Sequence, residues 1–436
     1  LLGESLNMRG TPMSTATSIR LSSITAVLAL AFSLSSCGSS SSSSTNNPNP
    51  SASPSPSTSQ PGASGGGSGS SSGSSGGSSG GSTSGSGSGS PGGGIGAGGG
   101  APTQAQFLYG SSGAGVKGGK IDSSTGQVVS VPMPTDPATG ITGFQTGTGA
   151  TVFAITIDRL GRLLYTADRQ GTFAGRAIGS NGIGAFTIDR GSGVLNRVSG
   201  SPYSLPDLPA DIAIDGSGRF IYVSLPGIID IWSVNQSSGA LTHISSTAGG
   251  GAKLATTWDG RFLLSNAAGA VTSYSIDQGS GSLTPVSTAA VGSSDGLSLS
   301  IGNALADSWK GNTATVLSLD SNGQLAMQRQ PVVLQGGNQV NYISVAADNR
   351  KAYVTIHDDT SSTGHLVRYD GIGGDQIGIF GTAVLHAEAD FNSKFVYSAE
   401  GTSKIQTYVV NPNGGFGPGP TSQGPIGTVE VFRLSP

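Results

Sequence analysis

The sequence predicts an all-β fold over residues 105–436, namely a seven-bladed β-propeller that is closed by its own C-terminal strand. Short runs rich in Val, Ile, Tyr, Phe and Thr alternate there with Gly, Asn and Asp turns, and no long helical period interrupts them. Two sequence patterns recur at intervals of forty to fifty residues. Four short strands per copy at such an interval are typical of propeller blades.

The first recurring pattern is a turn followed by a strand. "GSGRFIYVS" begins at Gly216, and "RLGRLLYTA", "WDGRFLLSN", "ADNRKAYVT" and "FNSKFVYSA" repeat its cadence. We interpret each copy as the tight inner hairpin and second strand of a blade. Gly218 supplies the positive φ of the turn, and Asp215 can hydrogen-bond its own turn backbone. Phe220 and Tyr222 share one face, which we expect to pack between neighbouring blades.

The second recurring pattern is an alternating strand that ends in Asp or Asn and is followed by a Gly-containing turn. Seven copies occur, and after a first step of 67 residues they are spaced by 41 to 50 residues, which gives one copy per blade. The Asp or Asn of each copy is Asp122, Asp189, Asn235, Asp277, Asp320, Asp370 or Asn411.

The two ends of the repeat region complement each other. "QFLYGSS" at 106–112 reads as a second strand without an inner strand before it, and "GTVEVFRLSP" at 427–436 reads as a strand without a blade after it. We therefore predict that residues 427–434 pair with the blade that contains Phe107–Tyr109, which removes an exposed strand edge. In the stretch expected to form the fifth blade, "IGNALADSWKG" at 301–311 lacks the Gly-Arg turn, but the spacing of the repeats still requires a blade there.

The N-terminal part has the features of a targeting signal for secretion. From Met13, one Arg precedes an apolar run at 21–34 and then small residues, which is the layout of a secretory signal peptide. "LSSC" at 34–37 resembles the bacterial lipobox, and Cys37 is the only Cys of the chain. The resemblance implies lipid on Cys37; the alternative is an ordinary signal peptide with an incidental Cys. We thus interpret residues 1–36 as upstream residues plus a lipoprotein signal peptide.

Residues 37–104 are predicted to be a lipidated Cys and a disordered linker of Ser, Gly and Pro, because such a segment buries too little apolar surface to offset its ordering entropy. Lipid, tether and domain together predict a lipid-anchored protein of the bacterial cell envelope, on its periplasmic or outer surface, with the membrane as a partner. The net charge of −3 argues against nucleic acid as a partner.

The combined cadence "I-A-I-D-x-x-G-R-F-x-Y-V … Y-S-I-D-x-x-S-G-x-L-T-P-V" resembles the lactonase-like seven-bladed propellers, the group named for 6-phosphogluconolactonase, over residues 106–436. In that family one inner strand carries an Arg-His pair, with a second His before the turn and a Glu after the next strand. In "LHAEADFNSKFVYSAE" at 385–400, His386 and Glu400 match the first His and the Glu, whereas Leu385 and Asp390 stand at the other two positions. The inner strand of blade six offers no His.

Strand alternation predicts that His386, Glu388 and Asp390 face the central channel and that Leu385, Ala387 and Ala389 face away. With Glu400 these residues are the candidate catalytic set, in which His386 is base or electrophile and the carboxylates orient it. Alternatively they bind a divalent cation weakly, the one cofactor we consider, or they form a solvated channel wall. Two carboxylates beside His386 are expected to raise its pKa.

Two functions follow from these observations. The first is a surface-anchored, lactonase-like propeller that binds a protein, a glycan or a small molecule, or has a structural role, without strong catalysis. The second is an extracytoplasmic hydrolase of lactones, such as sugar lactones. The missing Arg and His favour the first, and the convergence or divergence of the four candidate side chains separates the two.

Overall fold

A computed structural model describes the propeller region, and all the described residues belong to the unit Gly92–Pro436. Every regular element among them is a β-strand, and within this part of the chain no helix is long and apolar enough to cross a membrane. The described residues are 106–112, 115–133, 144–145, 151–173, 176–251, 253–292, 295–300, 305–328, 330–334, 339–345, 351–358, 363–370, 376–380, 384–400, 404–411, 416–423 and 432–435. The predicted domains 1–36 and 37–104, including Cys37, lie outside them and stay predictions.

The strands form seven antiparallel sheets of four or five strands, one per blade, and blade two carries an additional two-stranded hairpin. Blades one and two contain β1 (Phe107–Ser112), β2 (Gly115–Ile121), β3 (Val128–Val131), β4 (Phe144–Gln145), β5 (Thr151–Ile157), β6 (Leu163–Arg169), β7 (Gly171–Phe173), β8 (Arg176–Ile178), β9 (Gly182–Ile188), β10 (Leu195–Arg197) and β11 (Tyr203–Ser204). Blades three and four contain β12 (Asp211–Ile214), β13 (Phe220–Leu225), β14 (Ile228–Val234), β15 (Leu241–Ala248), β16 (Leu254–Thr256), β17 (Phe262–Ala267), β18 (Ala270–Ile276) and β19 (Leu283–Ala290).

The remaining blades follow the same order. Blade five, which the spacing required, contains β20 (Gly296–Leu299), β21 (Leu305–Lys310), β22 (Thr313–Leu319), β23 (Leu325–Met327) and β24 (Val332–Val333). Blades six and seven contain β25 (Gln339–Val345), β26 (Lys351–Asp358), β27 (Thr363–Asp370), β28 (Gln376–Phe380), β29 (Val384–Ala389), β30 (Phe395–Glu400), β31 (Lys404–Val410) and β32 (Phe416–Gln423). The last strand is β33 (Phe432–Ser435).

The ring is closed by the C-terminal strand, as predicted. β33 pairs antiparallel with β1, so that Leu108 lies opposite Leu434 and Tyr109 opposite Arg433. Residues 427–431 of the predicted pairing lie outside the described residues. β33 is therefore the inner strand of blade one. The seven inner strands contact one another in the order β5, β12, β16, β20, β25, β29, β33 and back to β5, which encloses a central channel.

The inner hairpins form as the turn chemistry predicts. In blade three, Asp215 accepts hydrogen bonds from the backbone N–H of Arg219 (2.7 Å) and Phe220 (2.8 Å), and Gly218 has a φ of +72°. Asp158 makes the matching bonds to Arg162 (2.5 Å) and Leu163 (2.8 Å) in blade two. These buried carboxylates satisfy turn amides that would otherwise lack partners.

Between blades, the aromatic residues of each second strand pack against the next blade. Phe220 and Tyr222 are buried in one cluster with Leu263 and Tyr274 of blade four, which confirms their predicted position. The Tyr222 hydroxyl also donates a hydrogen bond to the backbone O of Gly281 (3.1 Å) in the outer turn of that blade. A Cβ on Gly281 would lie 2.4 Å from the Phe220 ring, so this turn must be glycine for the blades to close.

Candidate functional site

The inner strand of blade seven presents a polar and an apolar face. Ala387 is fully buried against Tyr353 and Val396, and Ala389 packs on the same cluster. His386 and Glu388 project from the opposite face, as alternation predicts. A bulge between Val384 and His386 shifts the register of β29 just before these residues, and bulges commonly re-aim side chains near functional sites.

The central contact of the site joins blade seven to the closing strand. Glu388 Oε1 lies 2.7 Å from Arg433 Nη1, and Glu388 Oε2 accepts a hydrogen bond from the backbone N–H of Leu434 (3.1 Å). Arg433 and Leu434 both belong to β33. Ring closure and assembly of the site are therefore the same event, because the carboxylate of blade seven finds its cation only when β33 is in place.

His386 and Tyr342 complete this contact. His386 Nε2 lies 3.6 Å from Glu388 Oε1, and the Tyr342 hydroxyl donates a 3.5 Å hydrogen bond to the same oxygen. The rings of Tyr342 and His386 have centroids 4.0 Å apart, and the Arg433 guanidinium lies 5.6 Å from the Tyr342 ring. Tyr342 comes from the inner strand of blade six, at the blade where sequence comparison expected a His and found none.

The surroundings of Glu388 and Arg433 keep both side chains charged. Burial by itself would raise the pKa of Glu388, but the Arg433 guanidinium, the nearby His386 ring and the hydrogen bond from Leu434 outweigh it, so the pKa is lowered. Burial would lower the pKa of Arg433, but Tyr342, Glu388 and Asp211 hold it above its ordinary value. Glu388 and Arg433 are thus an ion pair at neutral pH.

The expected rise in the pKa of His386 is wrong. The ring is buried, with 3% of its surface exposed, and burial lowers its pKa more than Glu388 raises it; Arg433 and Lys253 lower it further. The expected rise took account of two carboxylates near His386. The pKa of His386 also depends on the desolvation of the ring and on the cations that other blades bring close to it. His386 is therefore a neutral imidazole at neutral pH.

Further charged groups from blades two, three and four surround the same end of the channel. Lys253 Nζ lies 4.0 Å from Asp211 Oδ1, and both residues stand at the start of an inner strand. The Arg169 guanidinium stacks on Phe153 at 3.3 Å, and the Lys253 ammonium lies 5.2 Å from the same ring. We call this end the channel mouth, formed by Phe153, Arg169, Asp211, Lys253, Tyr342, His386, Glu388 and Arg433.

Of the other two predicted site residues, Asp390 lies in the inner turn after β29 and Glu400 at the end of β30. The Oδ1 of Asp390 accepts a hydrogen bond from the backbone N–H of Phe391 (2.8 Å). Its own N–H donates to the backbone O of Phe395, and this backbone bond also occurs in the turns of Asp158 and Asp215. Glu400 ends β30, where the backbone register sets it opposite Val384 and Lys404. The described residues contain no group of three or more His, Cys, Asp or Glu side chains arranged to hold a metal ion.

Comparison with known proteins supports the propeller fold and shows a partial family match. The family model described as "Lactonase, 7-bladed beta-propeller" matches residues 121–258. The matched stretch runs from blade one to blade four, and over it the chain is similar to that family. Solved structures agree with the propeller fold of this chain. A 6-phosphogluconolactonase candidate from Bacteroides fragilis is 14% identical with a TM-score of 0.59, and the match covers 77% of this chain and 98% of that one.

A second structure, the periplasmic gluconolactonase PpgL of Pseudomonas aeruginosa, is 18% identical with a TM-score of 0.59, and the match covers 76% of this chain and 99% of that one. A 6-phosphogluconolactonase candidate from Bacteroides uniformis is 14% identical with a TM-score of 0.58, covering 76% and 100%. No curated protein matches this chain. At such identities these structures show the fold, and the function has to be argued from the site.

Sequence reasoning found two residues of the channel mouth and missed the others. Arg433 was placed on the closing strand, but its side chain was not considered. Lys253 and Asp211 each stand at or just before the first residue of an inner strand, and that shared position is the signal that could have found them.

Proposed function

We propose that this lactonase-like propeller binds a small anionic molecule at the channel mouth. The observation that carries the proposal is the charge balance of the mouth. Among the described side chains of the mouth, three cations, Arg169, Lys253 and Arg433, meet two carboxylates, Asp211 and Glu388, while His386 is neutral, so the cations outnumber the carboxylates within this set. Cations that converge in a partly desolvated concave site attract an anion and focus its approach.

Accessibility favours binding over catalysis. The side chains of Lys253 and Arg433 keep 32% and 29% of their surface exposed, so a ligand in the channel can reach both. His386 lies behind them and is almost completely buried. The cations are thus positioned for recognition, whereas the one candidate base is covered by its neighbours.

Calorimetric titration with D-gluconate tests this proposal. We expect saturable binding to the wild type and a loss of about tenfold or more in affinity in Lys253→Ala, because a charged hydrogen bond is removed. Arg190→Ala, at an exposed outer turn, is the matched control and should bind as the wild type does. Absence of binding, or equal binding to all three proteins, would refute the proposal.

Lactone hydrolysis is a second candidate, favoured by one specific observation. A neutral imidazole oriented by a carboxylate can accept a proton from water, and His386 and Glu388 have that relation. Cations at the mouth would stabilise the oxyanion that develops. Proton release during incubation with D-glucono-1,5-lactone, followed at constant pH, should then be faster than the uncatalysed reaction and return to that rate in His386→Ala. Equal rates with and without protein would leave binding as the function.

We further propose that Cys37 is lipidated and that a Ser/Gly/Pro tether holds the propeller at the envelope surface, as the sequence of residues 13–104 indicates. Cys37→Ser should release the protein from the membrane fraction or block its processing. A Cys37→Ser protein that fractionates and migrates as the wild type would contradict the lipid anchor and leave the ordinary signal peptide.

A further inference from the structure

We propose that the opposite end of the channel holds a second binding site, which takes a single uncharged sugar ring. A cavity of about 190 Å³ lies where the inner strands of blades two, three and four enter their turns. It is separate from the channel mouth, which lies at the starts of the same strands. We call it the turn-end pocket, and its principal lining residues are Thr156, Arg159, Gly216, Thr256, Trp258 and Phe391.

The pocket is built from one repeated backbone position. In four blades the inner turn begins at an equivalent residue, which is Asp158, Asp215, Thr257 or Asp390. The residue that directly follows it in the chain lines the turn-end pocket. The lining residues at this position are Arg159, Gly216, Trp258 and Phe391. Because the turns are equivalent, each of these positions faces the channel axis, and the identities of the four residues determine what the pocket can bind.

Gly216 of blade three leaves room for the turn of blade four, which Arg159 of blade two also contacts. A Cβ on Gly216 would lie 2.3 Å from the backbone O of Trp258, so the turn of blade four rests directly on the turn of blade three. Arg159 of blade two then reaches across, and its Nη1 donates a 3.3 Å hydrogen bond to the same Trp258 O. Its guanidinium lies 5.0 Å from the Trp258 ring, which holds both side chains in place.

Two aromatic rings from blades that are not neighbours meet over the channel axis. Trp258 of blade four and Phe391 of blade seven have ring centroids 6.2 Å apart and are tilted by 54°. Both are half-buried, and Phe391 also packs against the core cluster of Phe395 and Tyr397. They offer an apolar surface that a flat ring can contact, as aromatic residues do in ligand pockets.

Hydroxyl groups supply the polar side of the pocket. Thr156 Oγ1 accepts a hydrogen bond from the backbone N–H of Ile214 (3.3 Å), and Thr256 Oγ1 donates one to the backbone O of Ile214 (2.6 Å). Each hydroxyl has one donor and two acceptor positions, so Thr156 can still donate and Thr256 can still accept. A ligand with both hydroxyl hydrogens and hydroxyl oxygens satisfies the two.

The charge balance of this pocket differs from that of the mouth. Two carboxylates, Asp158 and Asp215, line it together with one guanidinium, Arg159. Both carboxylates are 1% exposed and bound to their own turn amides. No excess of positive charge favours an anion, and the mixed aromatic and hydroxyl lining fits an uncharged ring. The cavity of about 190 Å³ is smaller than the roughly 300–1,000 Å³ of pockets for drug-sized ligands, which suits one sugar ring rather than two.

Saturation-transfer NMR and titration with methyl β-D-glucopyranoside test this site on the full chain. We expect saturable binding to the wild type, a loss of about tenfold or more in affinity in Arg159→Ala, and loss of the signal in Trp258→Leu. Arg219→Ala, which alters the blade-three turn on its outward side, is the matched control and should bind normally. Lys253→Ala at the mouth should also bind the glucoside normally, so failure of this site is distinguishable from failure of the mouth.

Thr156→Val provides a second test that spares the aromatic contacts, and melting curves show which variants remain folded. Weaker glucoside binding by folded Thr156→Val supports the proposal. The proposal is overturned if the wild type shows no saturable signal with the glucoside, or if folded Arg159→Ala, Trp258→Leu and Thr156→Val all bind it as the wild type does.

Discussion

The ion pair between Glu388 and Arg433 gives the sharpest prediction about stability. Glu388→Gln keeps the shape of the side chain but removes the charge that accepts the 2.7 Å bond from Arg433 and the bond from Leu434. Breaking a fully buried pair costs about 3–5 kcal/mol. Glu388 is 12% exposed, but Arg433 is 29% exposed and also lies near Asp211, which offsets part of the loss. We therefore expect Glu388→Gln to lower the free energy of unfolding by about 2 kcal/mol.

Urea denaturation at pH 7 measures this change, and the molecule offers a matched control. Arg261 Nε and Asp259 Oδ2 are also 2.7 Å apart, but this pair is nearer the surface, with Arg261 41% and Asp259 15% exposed. Asp259→Asn should cost less than about 1 kcal/mol, as exposed pairs do. A loss below about 0.5 kcal/mol for Glu388→Gln would show that the pair does not fasten the closing strand, and the reasoning would be refuted.

Three further outcomes are expected. Deleting residues 427–436 removes β33 and leaves the edge of β1 without its partner strand, so the protein should aggregate or melt much earlier. An unchanged melting temperature would contradict closure by β33. Gly281→Ala should cost about 2–4 kcal/mol, because φ is +75° and the added Cβ would meet Phe220 at 2.4 Å, whereas Gly279→Ala in the same turn should be nearly neutral by the same urea titration. Because the pKa of His386 is lowered in the folded protein, the unfolded state binds a proton first on acidification. The free energy of unfolding should therefore fall as the pH drops below about 6.5, by at most about 1.4 kcal/mol per pH unit. His386→Gln should flatten this part of the pH profile, and parallel profiles of the two proteins would argue against a buried neutral His386.

The fold was predictable from the sequence because each blade has to repeat the same local chemistry. The turn at Asp215 and Gly218 is specified by residues within five positions of one another, and the packing of Tyr222 follows from alternation along one strand. Closure was predictable for a similar reason, since an incomplete blade at one end and a spare strand at the other leave one economical arrangement.

The site was only partly predictable because it depends on contacts between distant parts of the chain. Alternation placed His386 and Glu388 on one face, but their cation, Arg433, is defined only once the ring is closed. Asp390 was assigned to the channel although its place before "FNSK" matches Asp215 before "GSGR", which marks a turn residue. The pKa direction of His386 was missed because burial depends on the packing of Tyr342, which no local pattern reveals.

A crystal structure of the protein grown with D-gluconate would test the central claim most directly, namely that the cations of the channel mouth recognise an anion. We predict the gluconate carboxylate within hydrogen-bonding distance of at least two of Arg169, Lys253 and Arg433, with the Glu388–Arg433 pair intact. Gluconate bound in the turn-end pocket instead, or a mouth that holds only solvent at saturating gluconate, would contradict the account.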